Sequence, residues 1–207
     1  EESFTFRIPE NLEKSKNWIY LSLILLILIV ILGTYIRTVN IPQLKDITTG
    51  NYTLGPDLDP FLYLRLAEHI IESGSLPFPD EMRYLGLGFF YKNLMPYYVA
   101  YFHKFLSMFS GNISLEYAAI IFPVAAFGLS IIVFFFFVGE IFRERSEFER
   151  NSMAVLATLL YAVVPQMQHR TAAGIPELES AGMVFFWLSF FFFLRAWNNE
   201  GERIFGV

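Results

Sequence analysis

The sequence predicts an all-α polytopic membrane protein with about four transmembrane helices and a long external loop that carries interfacial helices. Of the 207 residues, 55% are hydrophobic. These residues lie in long uncharged blocks, whereas a soluble core would spread them with helical or strand periodicity. Polar stretches separate the blocks, as loops separate membrane spans. We take the segments in chain order.

The chain begins with a polar segment, 1–17, that we expect in the cytoplasm, and the first transmembrane helix is predicted over 18–37. Trp18 to Ile36 carries no charge, and Arg37 closes the block. Crossing the hydrocarbon core takes about 20 apolar residues. The block is too long for the apolar region of a signal peptide, and no small-residue cleavage site follows it. We therefore expect it to stay in the membrane.

The long external loop is predicted over 38–114, which is too long for a simple connection between helices. It contains an amphipathic helix from Pro60 to Ser73, with Gly74 as its stop signal. We expect its apolar stripe to consist of Phe61, Leu64, Ala67 and Ile71. On the polar side, Arg65 is expected to pair with Glu68 or Glu72, which lie three and seven residues further along the helix.

A second aromatic stretch in this loop, Tyr91 to Ser110, is predicted to lie along the membrane interface. Lys92, His103 and Lys104 break it into uncharged runs of only about eleven residues, which are too short to cross. Counting it as a span would also reverse the sidedness of every later segment.

Three further spans are predicted downstream, separated by one cytoplasmic and one external loop. In chain order the segments are span 115–142, cytoplasmic loop 143–150, span 151–168, external loop 169–180, span 181–197 and cytoplasmic segment 198–207. The loop 143–150 holds three arginines, and basic residues favour the cytoplasmic side. Because apolar character returns at the end of the chain, which also starts at Glu1, we expect a fragment of a longer protein.

Composition excludes several classes of function. The formal net charge is −5 and no basic patch stands out, so nucleic acid is not an expected partner. The chain has no cysteine, which excludes a disulfide framework and any thiolate metal site.

Two short acidic motifs lie on the predicted external side. The first, Asp57-Leu58-Asp59, directly precedes Pro60. Asp is a favoured N-cap and Pro a favoured first helical residue, so helix capping explains part of Asp59 but not Asp57. The second motif is Glu177-Leu178-Glu179, at the start of the fourth predicted span, where acidic residues also offset the helix dipole.

The shared side of the two motifs adds weight to a functional interpretation. Carboxylates that converge at a membrane surface would repel each other unless a cation lay between them. Oxygen ligands of this kind suit Mg²⁺ or Mn²⁺, and such an ion neutralises the charge of a phosphate leaving group. The pattern therefore predicts group transfer from a lipid phosphate.

The motifs resemble those of a known family. Asp57 to Glu68 resembles the first acidic motif of archaeal oligosaccharyltransferase catalytic subunits, in which an Asp precedes Pro, aromatic residues and an Arg. Pro165, Arg170 to Gly174 and then Glu177 to Glu179 resemble the run that leads to the second acidic motif of that family. The resemblance extends in order over nearly the whole chain.

The resemblance implies a C-type glycosyltransferase fold in the cell membrane with an extracytoplasmic active face. The implied partners are a lipid-linked oligosaccharide donor, an acceptor polypeptide with Asn-x-Ser/Thr and membrane lipid. The implied cofactor is Mn²⁺ or Mg²⁺. Asp59 would be the catalytic residue and a metal ligand, and Glu177 and Glu179 would be the other metal ligands. Asp57, His169 and Arg170 are lower-ranked candidates.

Two departures from the family pattern affect these expectations. The family more often has Asp where this chain has Glu177, and the extra methylene moves the carboxylate by about 1 Å or more. No stretch of the chain resembles the family's later acidic ligand or its acceptor-reading globular domain, so we expect this fragment alone to be inactive. The alternatives are another C-type glycosyltransferase, such as a protein O-mannosyltransferase or an aminoarabinose transferase, and a non-enzymatic membrane protein whose carboxylates only cap helices.

Overall fold

The computed structural model describes the backbone of residues 17–82 and 94–205, and side chains from 18 to 82 and from 94 to 199. The described part is helical and contains no strand, which confirms the predicted all-α class. Its α-helices are α1 Asn17–Thr38, α2 Leu58–Ser73, α3 Met95–Ser107, α4 Leu115–Ile141, α5 Glu147–Val163, α6 Pro165–Thr171 and α7 Leu178–Phe205. Residues 1–16, including Lys14 and Lys16, and the start of the stretch Tyr91–Ser110 lie outside the described residues.

Within the described residues, three segments are long and apolar enough to cross a membrane. They are Trp18–Gln43, Leu115–Ile141 and Leu178–Asn199. These segments contain the first, second and fourth predicted spans almost completely. Helix α3 has 13 residues, so it extends about 20 Å and is too short to cross a core of about 30 Å. The chain is thus a multi-pass membrane segment.

The third predicted span, 151–168, is not one continuous helix. Helix α5 has 17 residues and ends at Val163, and α6 begins at Pro165. Val164 between them is extended, with φ −61° and ψ 124°, because the ring of a following proline disfavours the helical conformation. The predicted span runs through this break. The four-span topology and the sidedness of the loops stay predictions.

The described residues form two compact units. One unit comprises Thr34–Gly128 and Pro165–Val184. Its core is built by α2, α3 and the first half of α4, which contribute among others Ala67, Val99 and Ile120, all 0% exposed. Both acidic motifs belong to this unit.

Helix α2 ends at Gly74 as predicted, but two details of the prediction were wrong. Its buried stripe is Pro60, Tyr63, Leu66, Ala67 and Ile70. Phe61, which we expected on the apolar stripe with Leu64 and Ile71, is 45% exposed, whereas those two residues pack against the core. Arg65 does not pair with Glu68 or Glu72, since its guanidinium donates two hydrogen bonds, of 2.9 and 2.7 Å, to the buried Asp80 carboxylate. A buried carboxylate needs such a partner, and the helix surface offers none that is equally desolvated.

The other unit comprises residues up to Gly33, Leu129–Val164 and residues from Phe185 onward. Aromatic rings fill much of it: the Trp187 ring lies 4.6 Å from that of Phe134 and 5.8 Å from that of Tyr161. Two buried polar side chains, Ser22 and Asn151, contact each other at 3.4 Å. Helix α5 starts with a capping box formed by Ser146 and Glu149.

Candidate functional site

A backbone hydrogen bond joins the two loops that lead to the acidic motifs. The N–H of Gly55 donates to the carbonyl of Gly174 at 2.8 Å. Gly174 has φ +85°, and a Cβ there would lie 2.6 Å from the Leu44 Cδ1 atom and 3.1 Å from the Gly55 nitrogen. Only glycine allows both this conformation and this approach. Asp57 follows two residues after Gly55 and Glu177 three residues after Gly174, so the motifs are held close together.

The end of α1 supports the second loop through Arg37, which is 1% exposed. Its Nε atom donates a 2.6 Å hydrogen bond to the hydroxyl of Thr171, and its guanidinium lies 3.4 Å above the centre of the Phe127 ring. The carbonyl of Arg37 accepts a hydrogen bond from Ala173 N–H at 2.9 Å, and Gly174 N–H donates to the Ile120 carbonyl at 3.0 Å. The loop between Arg170 and Glu177 is therefore fixed by α1 and α4.

The two motifs occupy equivalent positions at two helix starts. Asp57 is the N-cap of α2, with its carboxylate accepting from Leu58 N–H at 2.7 Å, and Glu177 directly precedes α7. Asp59 and Glu179 both lie in a first turn and are exposed. Between each pair of acids stands an exposed leucine. The prediction that Asp59 is the cap was wrong, since α2 begins one residue before it.

Arg170, Glu177 and Asp57 form a contiguous charged group. The Arg170 guanidinium donates a hydrogen bond to the Glu177 carboxylate, which is 4% exposed, whereas the Arg170 side chain is 48% exposed. The Asp57 carboxylate lies close enough to both Glu177 and Arg170 for each of them to lower its pKa.

Burial and neighbouring charges shift the pKa values of the three groups in different directions. Burial raises the pKa of Glu177; the Arg170 hydrogen bond opposes this effect and the Asp57 hydrogen bond adds to it. The pKa of Asp57 is lowered, first by the Leu58 backbone N–H and then by Glu177. The pKa of Arg170 is raised, mainly by its hydrogen bond to Glu177. The Glu177 carboxyl group therefore takes up a proton at a higher pH than the Asp57 carboxyl group.

The predicted site residues thus divide into two sets. Asp57, Arg170 and Glu177 are brought together, and Glu179 is close enough to act electrostatically on both Arg170 and Glu177. Asp59 and His169 are exposed, and in the described part of the chain neither makes a hydrogen bond or ion pair with the second motif. Among residues 17–82 and 94–199, no three His, Asp or Glu side chains are grouped so that they could hold a metal ion.

Sequence reasoning missed the residues that position this group. It took Arg37 as the charged end of a span and assigned no role to Gly55 or Thr171. One signal was available: Gly55-Pro56-Asp57 and Gly174-Ile175-Pro176-Glu177 have the same order of Gly, Pro and acid. The partnership of Arg37 with Thr171 has no local signal, because 133 residues lie between them.

Comparison with known proteins identifies the family. Residues 20–206 match the family model "Oligosaccharyl transferase STT3, N-terminal". The chain is 28% identical over 178 residues to the dolichyl-phosphooligosaccharide-protein glycotransferase 2 of Archaeoglobus fulgidus, and the match covers 85% of this chain but 27% of the relative. No solved structure matches significantly. The chain therefore belongs to the STT3 family of oligosaccharyl transferases, whose N-terminal region it matches.

Proposed function

We propose that the protein containing this chain transfers an oligosaccharide from a lipid phosphate carrier to the side chain of asparagine in Asn-x-Ser/Thr. The chain spans about a quarter of the curated relative that it matches, and the name of that relative supports a dolichyl-linked donor and a protein acceptor. The observation that carries the proposal is the Gly55–Gly174 hydrogen bond, because it holds two acidic helix starts side by side. The active face is proposed to be the extracytoplasmic side of the cell membrane.

In this reaction the acceptor nitrogen forms a bond to the anomeric carbon of the sugar while the bond from that carbon to the carrier phosphate oxygen breaks. The nitrogen releases its proton to water, and the lipid phosphate leaves with the bonding electrons. We assign Asp59 to the acceptor, because an exposed carboxylate can accept hydrogen bonds from the amide N–H groups and orient the nitrogen. Leu58 and Leu178 are 86% and 53% exposed, and they offer apolar surface beside the carboxylates for the lipid chain.

The carboxylates of the two motifs are the right type of ligand for a hard divalent cation, but they are too few to complete its coordination. Carboxylate oxygens are the ligands that Mg²⁺ and Mn²⁺ prefer, and Asp59 and Glu179 offer such oxygens at exposed positions. Glu177 is engaged by Arg170, so its participation requires that this pair open. We propose that these three residues supply part of the ligands and that the rest lie outside the described residues. A bound ion would neutralise charge on the leaving phosphate.

Arg170 has a role of its own in the proposal. The Arg170 guanidinium offsets the negative charge of the Glu177 carboxylate, and about half of the Arg170 side chain is exposed to solvent. When Glu177 turns to another cation, Arg170 is free to bind a phosphate oxygen, for which a guanidinium is well suited. Arg170 would thus balance the charge of the site both before and after the donor binds.

The test is transfer of a labelled oligosaccharide to a sequon peptide by the intact protein with Asp59→Asn. We expect at least a 100-fold loss, the size typical of removing one positioned acid–base or electrostatic group. Glu68→Gln is the matched control, since Glu68 is also exposed on α2 but lies nine residues further along. Activity of Asp59→Asn equal to that of Glu68→Gln, with unchanged Mn²⁺ dependence, would refute the proposal.

A further inference from the structure

We propose that the unit formed by residues up to Gly33, Leu129–Val164 and residues from Phe185 onward holds a binding site for the phosphate headgroup of an anionic membrane phospholipid. The site is a cavity of about 380 Å³ between the start of α1, the end of α4, the start of α5 and the C-terminal half of α7. This volume is within the usual range for small-molecule sites. It contains none of the residues of the acidic group, so it is independent of the proposed transfer reaction.

Charge is the first argument for an anionic ligand. Among the residues whose side chains are described, three arginines line the cavity, Arg143, Arg150 and Arg195, together with one acidic residue, Glu140. Glu140 is already engaged, because it accepts a 3.0 Å hydrogen bond from Asn198 and lies 3.5 Å from the Arg143 guanidinium. The cavity therefore has an excess of two positive charges.

Unused hydrogen-bond donors are the second argument. In the described part of the chain, the Arg150 guanidinium has no hydrogen-bond or ion-pair partner. Asn151, which is 8% exposed and also lines the cavity, has a buried Nδ2 atom without a partner. The Ser22 hydroxyl donates its proton to the Ile19 carbonyl at 2.8 Å, so its 3.4 Å contact with Asn151 leaves the Asn151 amide able to bind a ligand. A buried donor without an acceptor costs free energy, which phosphate oxygens would recover.

The apolar lining shows why the ligand is a lipid. Ile19, Leu23 and Phe136 line the same cavity and are 43%, 37% and 49% exposed, respectively. They belong to α1 and α4, two helices long and apolar enough to span a membrane. A free phosphate ion gains no binding energy from these apolar side chains, whereas an acyl chain attached to the headgroup packs against them. Basic pockets between spanning helices are typical sites for anionic headgroups.

The experiment measures binding of phosphatidylglycerol and phosphatidylcholine to the purified chain in detergent by native mass spectrometry. Arg150→Gln should weaken phosphatidylglycerol binding about fivefold, the usual effect of one basic residue beside an anionic headgroup, and leave phosphatidylcholine unchanged. Arg145→Gln is the control: it removes the same charge from the same loop, but Arg145 is exposed and does not line the cavity. Arg150→Lys should restore most of the binding.

Equal loss in Arg150→Gln and Arg145→Gln would show a general charge effect and overturn the proposal. Displacement of phosphatidylglycerol by millimolar inorganic phosphate would also overturn it, because the site would then take the free anion. If Arg150→Gln does not fold, Arg195→Gln provides the same test, since Arg195 is exposed on α7 and lines the cavity.

Discussion

Replacing Gly174 with alanine tests the contact that joins the two acidic motifs. Gly174 has φ +85°, and alanine in this left-handed conformation costs about 1–2 kcal/mol. The new Cβ would also lie 2.6 Å from Leu44 Cδ1 and 3.1 Å from the Gly55 nitrogen. Displacing the buried Leu44 side chain costs about 1–3 kcal/mol, and weakening the Gly55–Gly174 hydrogen bond about 1 kcal/mol. We expect a total destabilisation of about 3–6 kcal/mol.

Gly74→Ala is the matched control for this variant. Gly74 also has a positive φ, of 82°, but a Cβ there meets no atom within 4 Å. It should therefore cost only the backbone component, about 1–2 kcal/mol. The free energy of unfolding would be measured for both variants by denaturant titration in detergent micelles. A cost for Gly174→Ala no larger than that for Gly74→Ala would refute the close approach of the two loops.

Three further variants test the contacts around this group. Thr171→Val removes the hydroxyl that accepts from Arg37, so thermal unfolding should show a loss of about 1.5–3 kcal/mol, whereas Thr171→Ser should be close to the parent. Arg65→Gln leaves the Asp80 carboxylate, 1% exposed, without its bidentate partner and should cost about 3 kcal/mol in the same assay, more than Arg65→Lys. Because the pKa of Asp57 is lowered on folding, the stability that its carboxylate contributes is present above about pH 4 and is lost as the pH falls through the folded pKa. Asp57→Asn should therefore reduce the loss of stability at acid pH. An unchanged acid limb of the stability profile would contradict the pKa shift.

Much of the helical architecture follows from residue patterns that are local in sequence. Uncharged blocks long enough to cross a bilayer mark α1, α4 and α7, and Gly74 marks the end of α2, because these signals depend on composition and on single backbone conformations. The break at Val164 was also present locally, in the proline that follows it, but the apolar block around it concealed it.

The errors concern contacts between residues distant in sequence. Arg65 has acidic neighbours on its own helix, and nothing local shows that Asp80, fifteen residues away, is the buried carboxylate that needs it. Likewise, the rotation of α2 that buries Tyr63 and exposes Phe61 is set by its packing against α3. Apolar residues at helical spacing predict that one face of the helix is buried, but they do not fix the middle of that face to better than about one residue.

The candidate site shows the same difference between features that are local in sequence and contacts between distant residues. The sequence predicted that the two acidic motifs would lie on the same side of the membrane, and the structure brings Asp57 and Glu177, rather than Asp59, close together. That choice depends on where α2 begins, because the helix starts two residues earlier with Asp57 as the cap than it would with Asp59. The pairing of Glu177 with Arg170 depends on the loop geometry that Gly174 and Arg37 fix, and no spacing rule describes it.

The proximity of the two motifs is the central claim, and crosslinking tests it most directly. The chain has no cysteine, so the pair Asp57→Cys and Glu177→Cys can be joined by a short bifunctional thiol reagent and the joined peptides detected by mass spectrometry after digestion. Glu72→Cys with Glu177→Cys is the control, because Glu72 lies about 22 Å along α2 from Asp57. We predict efficient crosslinking for the first pair and none for the second. No crosslink in the first pair, or equal yields in both, would contradict the account.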